Sequence, residues 1–222
     1  MNDGILLIDK PAGMTSFGVV ARVRRVLSEK RGKKVKVGHT GTLDPFATGL
    51  MIIIVGKECK NASLYSKLDK VYEATIHLGQ TSTTGDPEGD LTVVSNNVPT
   101  QTEVNDVISN FKGEITQRPP IYSAIKVDGQ RAYKLARAGK PVEIPERQVT
   151  VHSLDLQSYN YPDITIRAHV SSGTYIRTLA EDIGIKLGTG AYCSQLRRTE
   201  INKWQVKDAQ NLDLFMSTNS NP

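Results

Sequence analysis

The sequence predicts an α+β fold, a mixed but mainly antiparallel sheet with flanking helices. Apolar and polar residues alternate over Val71 to Gly79 and again over Ile164 to Val170, the two-residue period of half-buried strands. Segments of helical periodicity interleave with these strands. Tight turns such as Asp128-Gly129 join them, which suits antiparallel pairing better than repeated parallel crossovers. With 222 residues, 38% of them hydrophobic, the chain can bury a sizeable core as one large domain or two small ones. It shows no repeat, low-complexity stretch or clear linker. It is read as a single domain over 1–222, of which 199–222 is a short tail.

The elements follow in order. Ile5 to Ile8 is a short buried strand, stopped by Asp9-Lys10-Pro11-Ala12-Gly13. A helix starts at Thr15, with Val19, Val20, Val23, Val26 and Leu27 on one stripe and Arg22, Arg25 and Glu29 off it. An apolar strand runs through Met51 to Val55, and a helix covers Asn61 to Lys67. Within Val71 to Gly79, Tyr72, Ala74, Ile76 and Leu78 share the inner face. The polar loop Thr81 to Asp90 carries Asp86, Glu88 and Asp90 but fails the calcium-loop template, because its glycine is misplaced and Asn97 stands where a bidentate Glu is needed. Thr102 to Phe111 reads as a helix with Val104, Val107, Ile108 and Phe111 inward. Arg118 to Val127 reads as a strand. The helix after the Asp128-Gly129 turn carries Arg131, Lys134 and Arg137. Strands follow near Gln148 to Leu156 and at Ile164 to Val170. Thr174 to Leu187 is the clearest helix, since Ile176, Leu179, Ala180, Ile183 and Leu187 recur at helical spacing and Gly188 ends it. A last strand spans Ala191 to Arg198.

Charge and composition narrow the function classes. The net charge is +5, yet Arg22 to Lys36 holds eight cations against Glu29 alone, so the rest of the chain is slightly acidic. A basic block of this kind suits a polyanionic partner, although many such runs are only solvated faces. Cys59 and Cys193 lack neighbours at ligand spacing, so neither a disulfide framework nor a metal site is expected. No apolar run approaches the roughly 20 residues of a membrane span, and the first residues lack the pattern of a secretory signal. The expected location is cytoplasmic. Phosphate-loop, dinucleotide, serine-elbow and paired-histidine signatures are missing, so the chemistry falls to ordinary side chains.

The segment Gly38-His39-Thr40-Gly41-Thr42-Leu43-Asp44-Pro45-Phe46-Ala47-Thr48-Gly49-Leu50 concentrates three glycines and a proline around one carboxylate. Glycines at 38, 41 and 49 are expected to supply backbone angles closed to other residues, and Pro45 to hold Asp44 extended. Asp-Pro is also an ordinary turn opener. Arg177 is a second oddity, a cation in the first turn of its helix, where the dipole disfavours it. A pair with Glu181 four residues on is one explanation. A carboxylate elsewhere in the fold is a better one.

Taken together, Asp9-Lys10-Pro11 with Thr15-Ser16, Gly38 to Pro45, Arg118-Pro119-Pro120-Ile121-Tyr122-Ser123-Ala124, Gly173-Thr174-Tyr175-Ile176-Arg177 and Leu196-Arg197-Arg198 resemble, in this order, the bacterial tRNA pseudouridine synthase B (TruB) family. The match runs from about residue 4 to 198. The resemblance implies isomerisation of a T-loop uridine of tRNA to pseudouridine, with no cofactor and no metal, after the base is flipped into a pocket. It implies that Asp44 is the catalytic carboxylate, as nucleophile or as base, that Arg177 pairs with it, and that Tyr72 stacks on the base and serves proton transfer. His39, Tyr175 and Leu196 are expected to contact the flipped nucleotide, though from the residues alone each reads as a structural group. Lys10 is expected to shape the pocket. Arg31, Lys33, Lys34, Arg131 and Lys134 are expected on the RNA backbone.

Many bacterial members of the family carry a further RNA-binding domain of the PUA type after the catalytic region. This chain is expected to lack it. Partners are expected to be the tRNA T arm, with no guide RNA and no membrane, and the protein a monomer. Guide-RNA-dependent synthases of the dyskerin type and an RNA-binding or folding-assistance module are the rival readings.

Overall fold

The computed structural model describes residues 3–127 and 129–219. Its elements are β1 (Gly4–Lys10), α1 (Ser16–Arg31), β2 (Val37–His39), β3 (Thr48–Val55), a 3-10 turn (Gly56–Asn61), α2 (Ala62–Ser66), β4 (Lys70–Leu78), β5 (Gln80–Ser82), β6 (Leu91–Val93), α3 (Gln101–Ser109) and β7 (Gly113–Gln117). After these come β8 (Lys126–Val127), β9 (Gln130–Arg131), α4 (Ala132–Arg137), β10 (Arg147–Asn160), β11 (Asp163–Val170), α5 (Ile176–Lys186), β12 (Ala191–Ile201), β13 (Trp204–Gln205), a 3-10 turn (Val206–Asp208), β14 (Gln210–Asn211) and α6 (Leu212–Asn219). The chain divides into two compact units. One comprises the residues up to Tyr72 and from Arg197 on, the other Glu73–Leu196.

In the first unit, β1 lies antiparallel to β3 from Gly4↔Val55 to Lys10↔Gly49, and β2 flanks β3 with His39 opposite Ile53. The strand β3 is buried on both faces, which explains its unbroken apolar run. Met51, Ile53 and Val55 meet Val19, Val20, Val23, Val26 and Leu27 of α1. Leu50, Ile52 and Ile54 meet Ile201, Tyr65 and Trp204. Each fully buried valine or leucine of α1 contributes about 1.5–3 kcal/mol. The Thr15 hydroxyl caps this helix by accepting from the Gly18 amide, and Gly32, left-handed at φ 60°, ends it. The segment after Arg198 is part of the same core: β14 pairs with β1 at Ile8↔Gln210, and Leu212 and Phe215 of α6 are fully buried.

The second unit is built on the pairs β10–β11 and β10–β7, both antiparallel. The predicted inward set of β11, Ile164, Ile166, Ala168 and Val170, is fully buried, and α5 buries Ile176, Leu179, Ala180 and Ile183. Helix α3 packs on β10 and α5, and a reciprocal Thr100–Glu103 capping box starts it. Phe111 lies beyond its end and is only half-buried. Antiparallel pairs predominate in both units, as the alternating strands predicted.

Two further local expectations fail. Residues 118–125 form no strand; Pro119 and Pro120 have no N–H for a ladder, and only Lys126–Val127 pairs, with Gln130–Arg131. Arg131 therefore sits on β9, before α4 rather than on it. Asp128 lies outside the described residues, while Gly129 has the positive φ of 80° that the predicted turn requires.

Candidate active site

In the first unit the Asp44 loop is tied down on both sides of the aspartate. The Ser16 hydroxyl donates to the Leu43 carbonyl at 2.9 Å and accepts from the Leu43 amide at 2.8 Å. Lys10, fully buried, donates from Nζ to the carbonyls of Pro11, Met14 and Pro45 at 2.8, 2.8 and 3.1 Å. Arg198, 1% exposed, donates from Nε to the Leu50 carbonyl at 2.7 Å and from its two terminal nitrogens to those of Thr42 and Gly41 at 3.4 and 3.3 Å. Two buried cations thus bond backbone carbonyls on both sides of Asp44, those of Gly41 and Thr42 before it and that of Pro45 after it, which also accepts from the Gly13 amide. The neighbouring Arg197 forks onto Asp9 at 2.7 and 3.1 Å.

Of the three loop glycines, only Gly49 has a positive φ, at 110°. A Cβ there would stand 2.3 Å from the Arg198 carbonyl oxygen. At Gly38 and Gly41 a Cβ would make ordinary contacts at 3.5 and 3.6 Å, which corrects the expectation that all three need special angles. His39 lies on β2, half-buried, and Tyr72, 8% exposed, ends the first unit's share of β4.

The predicted backbone contacts of this unit are not equivalent. Arg31 is held by Asp3 at 3.0 Å. Lys33 and Lys34 are exposed and join Arg24 and Arg25 along an open groove of about 560 Å³ beside α1.

In the second unit Arg177 is 3% exposed and its guanidinium is surrounded by acceptors. It donates to the Thr84 carbonyl at 2.7 Å and the Tyr122 carbonyl at 2.9 Å, and lies 3.2 Å from Asp86, itself 4% exposed. Asp86 is held in turn by the Thr84 hydroxyl at 2.5 Å and the Glu88 amide at 3.1 Å. Its loop presses on α5 at Gly85, whose Cβ would come within 2.6 Å of Glu181 and 3.5 Å of the Arg177 Cβ. Burial pushes the Glu181 carboxyl up to about 7 against the opposing charge of Arg177.

Tyr175 caps α5, exchanging hydrogen bonds with the buried Gln117 side chain at 3.0 and 3.3 Å. Leu196 is 8% exposed on β12. Lys134 is exposed on α4, and the Arg131 guanidinium bonds the Ala124 carbonyl.

Asp86, Ser16, Arg198, Gln117 and Arg147 were not singled out from sequence. Ser16 and Arg198 stood inside the motifs that carry the resemblance. For Asp86 the signal was Arg177 itself, a cation needing a carboxylate. Gln117 and Arg147 left none.

Residues 24–176 match the model of the TruB family pseudouridylate synthase N-terminal domain. The tRNA pseudouridine synthase B of Azoarcus sp. is 44% identical over 95% of this chain and 69% of its own length, and that of Opitutus terrae 44% over 95% and 86%. That of Burkholderia mallei is 45% identical over 95% and 68%. Among solved structures, a chain in a Cbf5-Nop10-Gar1 complex matches 96% of this chain with a TM-score of 0.74 at 29% identity. This chain spans about half of that one, 54%. The protein belongs to the TruB family of pseudouridine synthases.

Proposed function

We propose that this protein isomerises a uridine in the T loop of tRNA to pseudouridine, using Asp44 as its essential group. Enzymes of the family detach uracil from ribose nitrogen-first and rejoin it through carbon, so substrate and product share the same atoms. Asp44 acts at the ribose as the glycosidic bond breaks. Arg177 favours the ionised form of that carboxylate, and Tyr72 faces the base and serves proton transfer at its ring carbon. His39, Tyr175 and Leu196 wall the flipped nucleotide, and Lys10 acts through the loop it braces. Lys33, Lys34, Arg131 and Lys134 meet backbone phosphates, giving orientation without base specificity.

The observation that carries this reading is the bracing of one aspartate. Gly41, Thr42, Leu43 and Pro45 are all bonded by buried side chains that leave Asp44 on a fixed backbone. A group that must meet one ribose carbon needs that fixity.

The guide-dependent reading draws on the likeness to Cbf5 complexes, but the relatives at 44–45% identity bear the tRNA enzyme's name. The test is incubation with unmodified tRNA, and with a bare T-arm hairpin, followed by mapping of pseudouridine. Product at one T-loop uridine in both is expected. Product that requires an added guide RNA would transfer the protein to the other class.

A further inference from the structure

Arg147 opens β10 directly opposite Gln117 of β7, so the two side chains leave the same face of the antiparallel pair. Both end on Tyr175. Gln117 holds its backbone through the two amide bonds, and the Arg147 guanidinium carbon lies 4.9 Å over the centre of its ring. The guanidinium also lies beside Gly173, where a Cβ would stand 3.3 Å from that carbon. Its Nε and Nη2 atoms are buried and have no hydrogen-bond partner among the described residues, while the adjacent Glu146 pairs with Arg118. A half-buried guanidinium with two orphaned nitrogens is unfavourable unless its contact with the ring is what the position is for.

We propose that Arg147 is a positioning residue for pseudouridine formation: lying over the Tyr175 ring and packed beside Gly173, it sets the angle of that ring while Gln117 sets its backbone. This rests on the reading that Tyr175 walls the flipped nucleotide. The cation does not touch substrate. It fixes the wall against which uracil turns between detachment and reattachment, so its loss is felt in the rate of the bound complex rather than in binding of the RNA.

The test compares Arg147→Met, Tyr175→Leu and the double variant with wild type on a T-arm hairpin. It measures the single-turnover rate at saturating enzyme, the dissociation constant and the thermal midpoint. Arg147→Met is expected to slow the step by about 10- to 100-fold, the scale of a misplaced reacting partner, with the dissociation constant within about twofold of wild type. The double variant is expected to be no slower than Tyr175→Leu within about twofold, since the arginine acts only through the ring. Should Arg147→Met not fold, Arg147→Lys, which keeps charge and reach but not the planar stack, is expected to show the same loss of rate at unchanged affinity.

An unchanged rate in either folded variant overturns the proposal, as does a fully additive loss in the double variant or a loss confined to affinity. A wild-type protein that makes no pseudouridine would instead overturn the functional reading on which it rests.

Discussion

Replacing Asp86 by Asn removes one charge and almost no volume, and its cost follows from what is left behind. Asn still offers an oxygen to the Thr84 hydroxyl and the Glu88 amide, which Asp86 now bonds at 2.5 and 3.1 Å. Its amide nitrogen then faces the Arg177 guanidinium, 3.2 Å away, donor against donor. Both side chains are at least nineteen-twentieths buried, so water cannot repair the loss. Breaking a buried pair by removing one partner costs about 3–5 kcal/mol, a large share of the roughly 5–15 kcal/mol that holds a domain together. Urea unfolding should show that loss in Asp86→Asn. Replacing both members, Arg177→Met with Asp86→Leu, should regain part of the stability and none of the activity, because neither charge of the pair is left facing an empty place, while the Thr84 and Tyr122 carbonyls still lose their donor. An Asn variant within about 1 kcal/mol of wild type, or a double variant no more stable than the worse single, would refute the argument that a buried charge pair locks this loop to α5.

Three further outcomes follow from the same geometry. Gly49→Ala places a methyl group 2.3 Å from the Arg198 carbonyl at a φ of 110°, so the variant should unfold at markedly lower urea or fail to accumulate; a thermal midpoint equal to wild type contradicts it. The folded protein holds the Glu181 proton to about pH 7 where an ordinary glutamate releases it near 4.5. That stabilisation is complete below the ordinary value and is lost as pH rises through about 7. It is at most about 3 kcal/mol and is reduced by partial exposure. Glu181→Gln should therefore be the more stable protein above pH 7 and should lose most of the slope between about pH 4.5 and 7, leaving a smaller one from Asp182, also raised by burial; identical pH profiles would exclude the assignment. Lys33→Ala with Lys34→Ala should weaken tRNA binding and lower the slope of log affinity against log salt by about 1 to 2, and an unchanged slope would remove the pair from the RNA interface.

How much of this was legible in the sequence depended on how local the cause was. The strand β3 and the helix α5 announce themselves because burial imposes a short period on neighbouring residues. The Asp44 loop stood out because its glycines and proline cluster, yet two of those glycines turn out to be spatially ordinary. Only Gly49 is required, by a backbone more than a hundred residues away. Residues 118–125 misled for the converse reason: an apolar segment read as a strand carries two prolines, and its carbonyls serve Arg177 and the Tyr133 amide instead of a ladder. Asp86 looked like one of three acids in a solvated loop. Its burial depends on α5, some ninety residues later, which no local pattern encodes. Arg147 and Gln117 were silent, since a cross-strand pair acquires meaning only when β7 and β10 are in register.

A single braced carboxylate is proposed to carry the chemistry. Wild type and Asp44→Asn, each at saturating concentration over unmodified tRNA, should be followed by pseudouridine mapping in one single-turnover experiment. The wild type should yield a T-loop pseudouridine, and the Asn variant none although it binds the same RNA nearly as well. Turnover by Asp44→Asn at a rate approaching wild type would contradict that role.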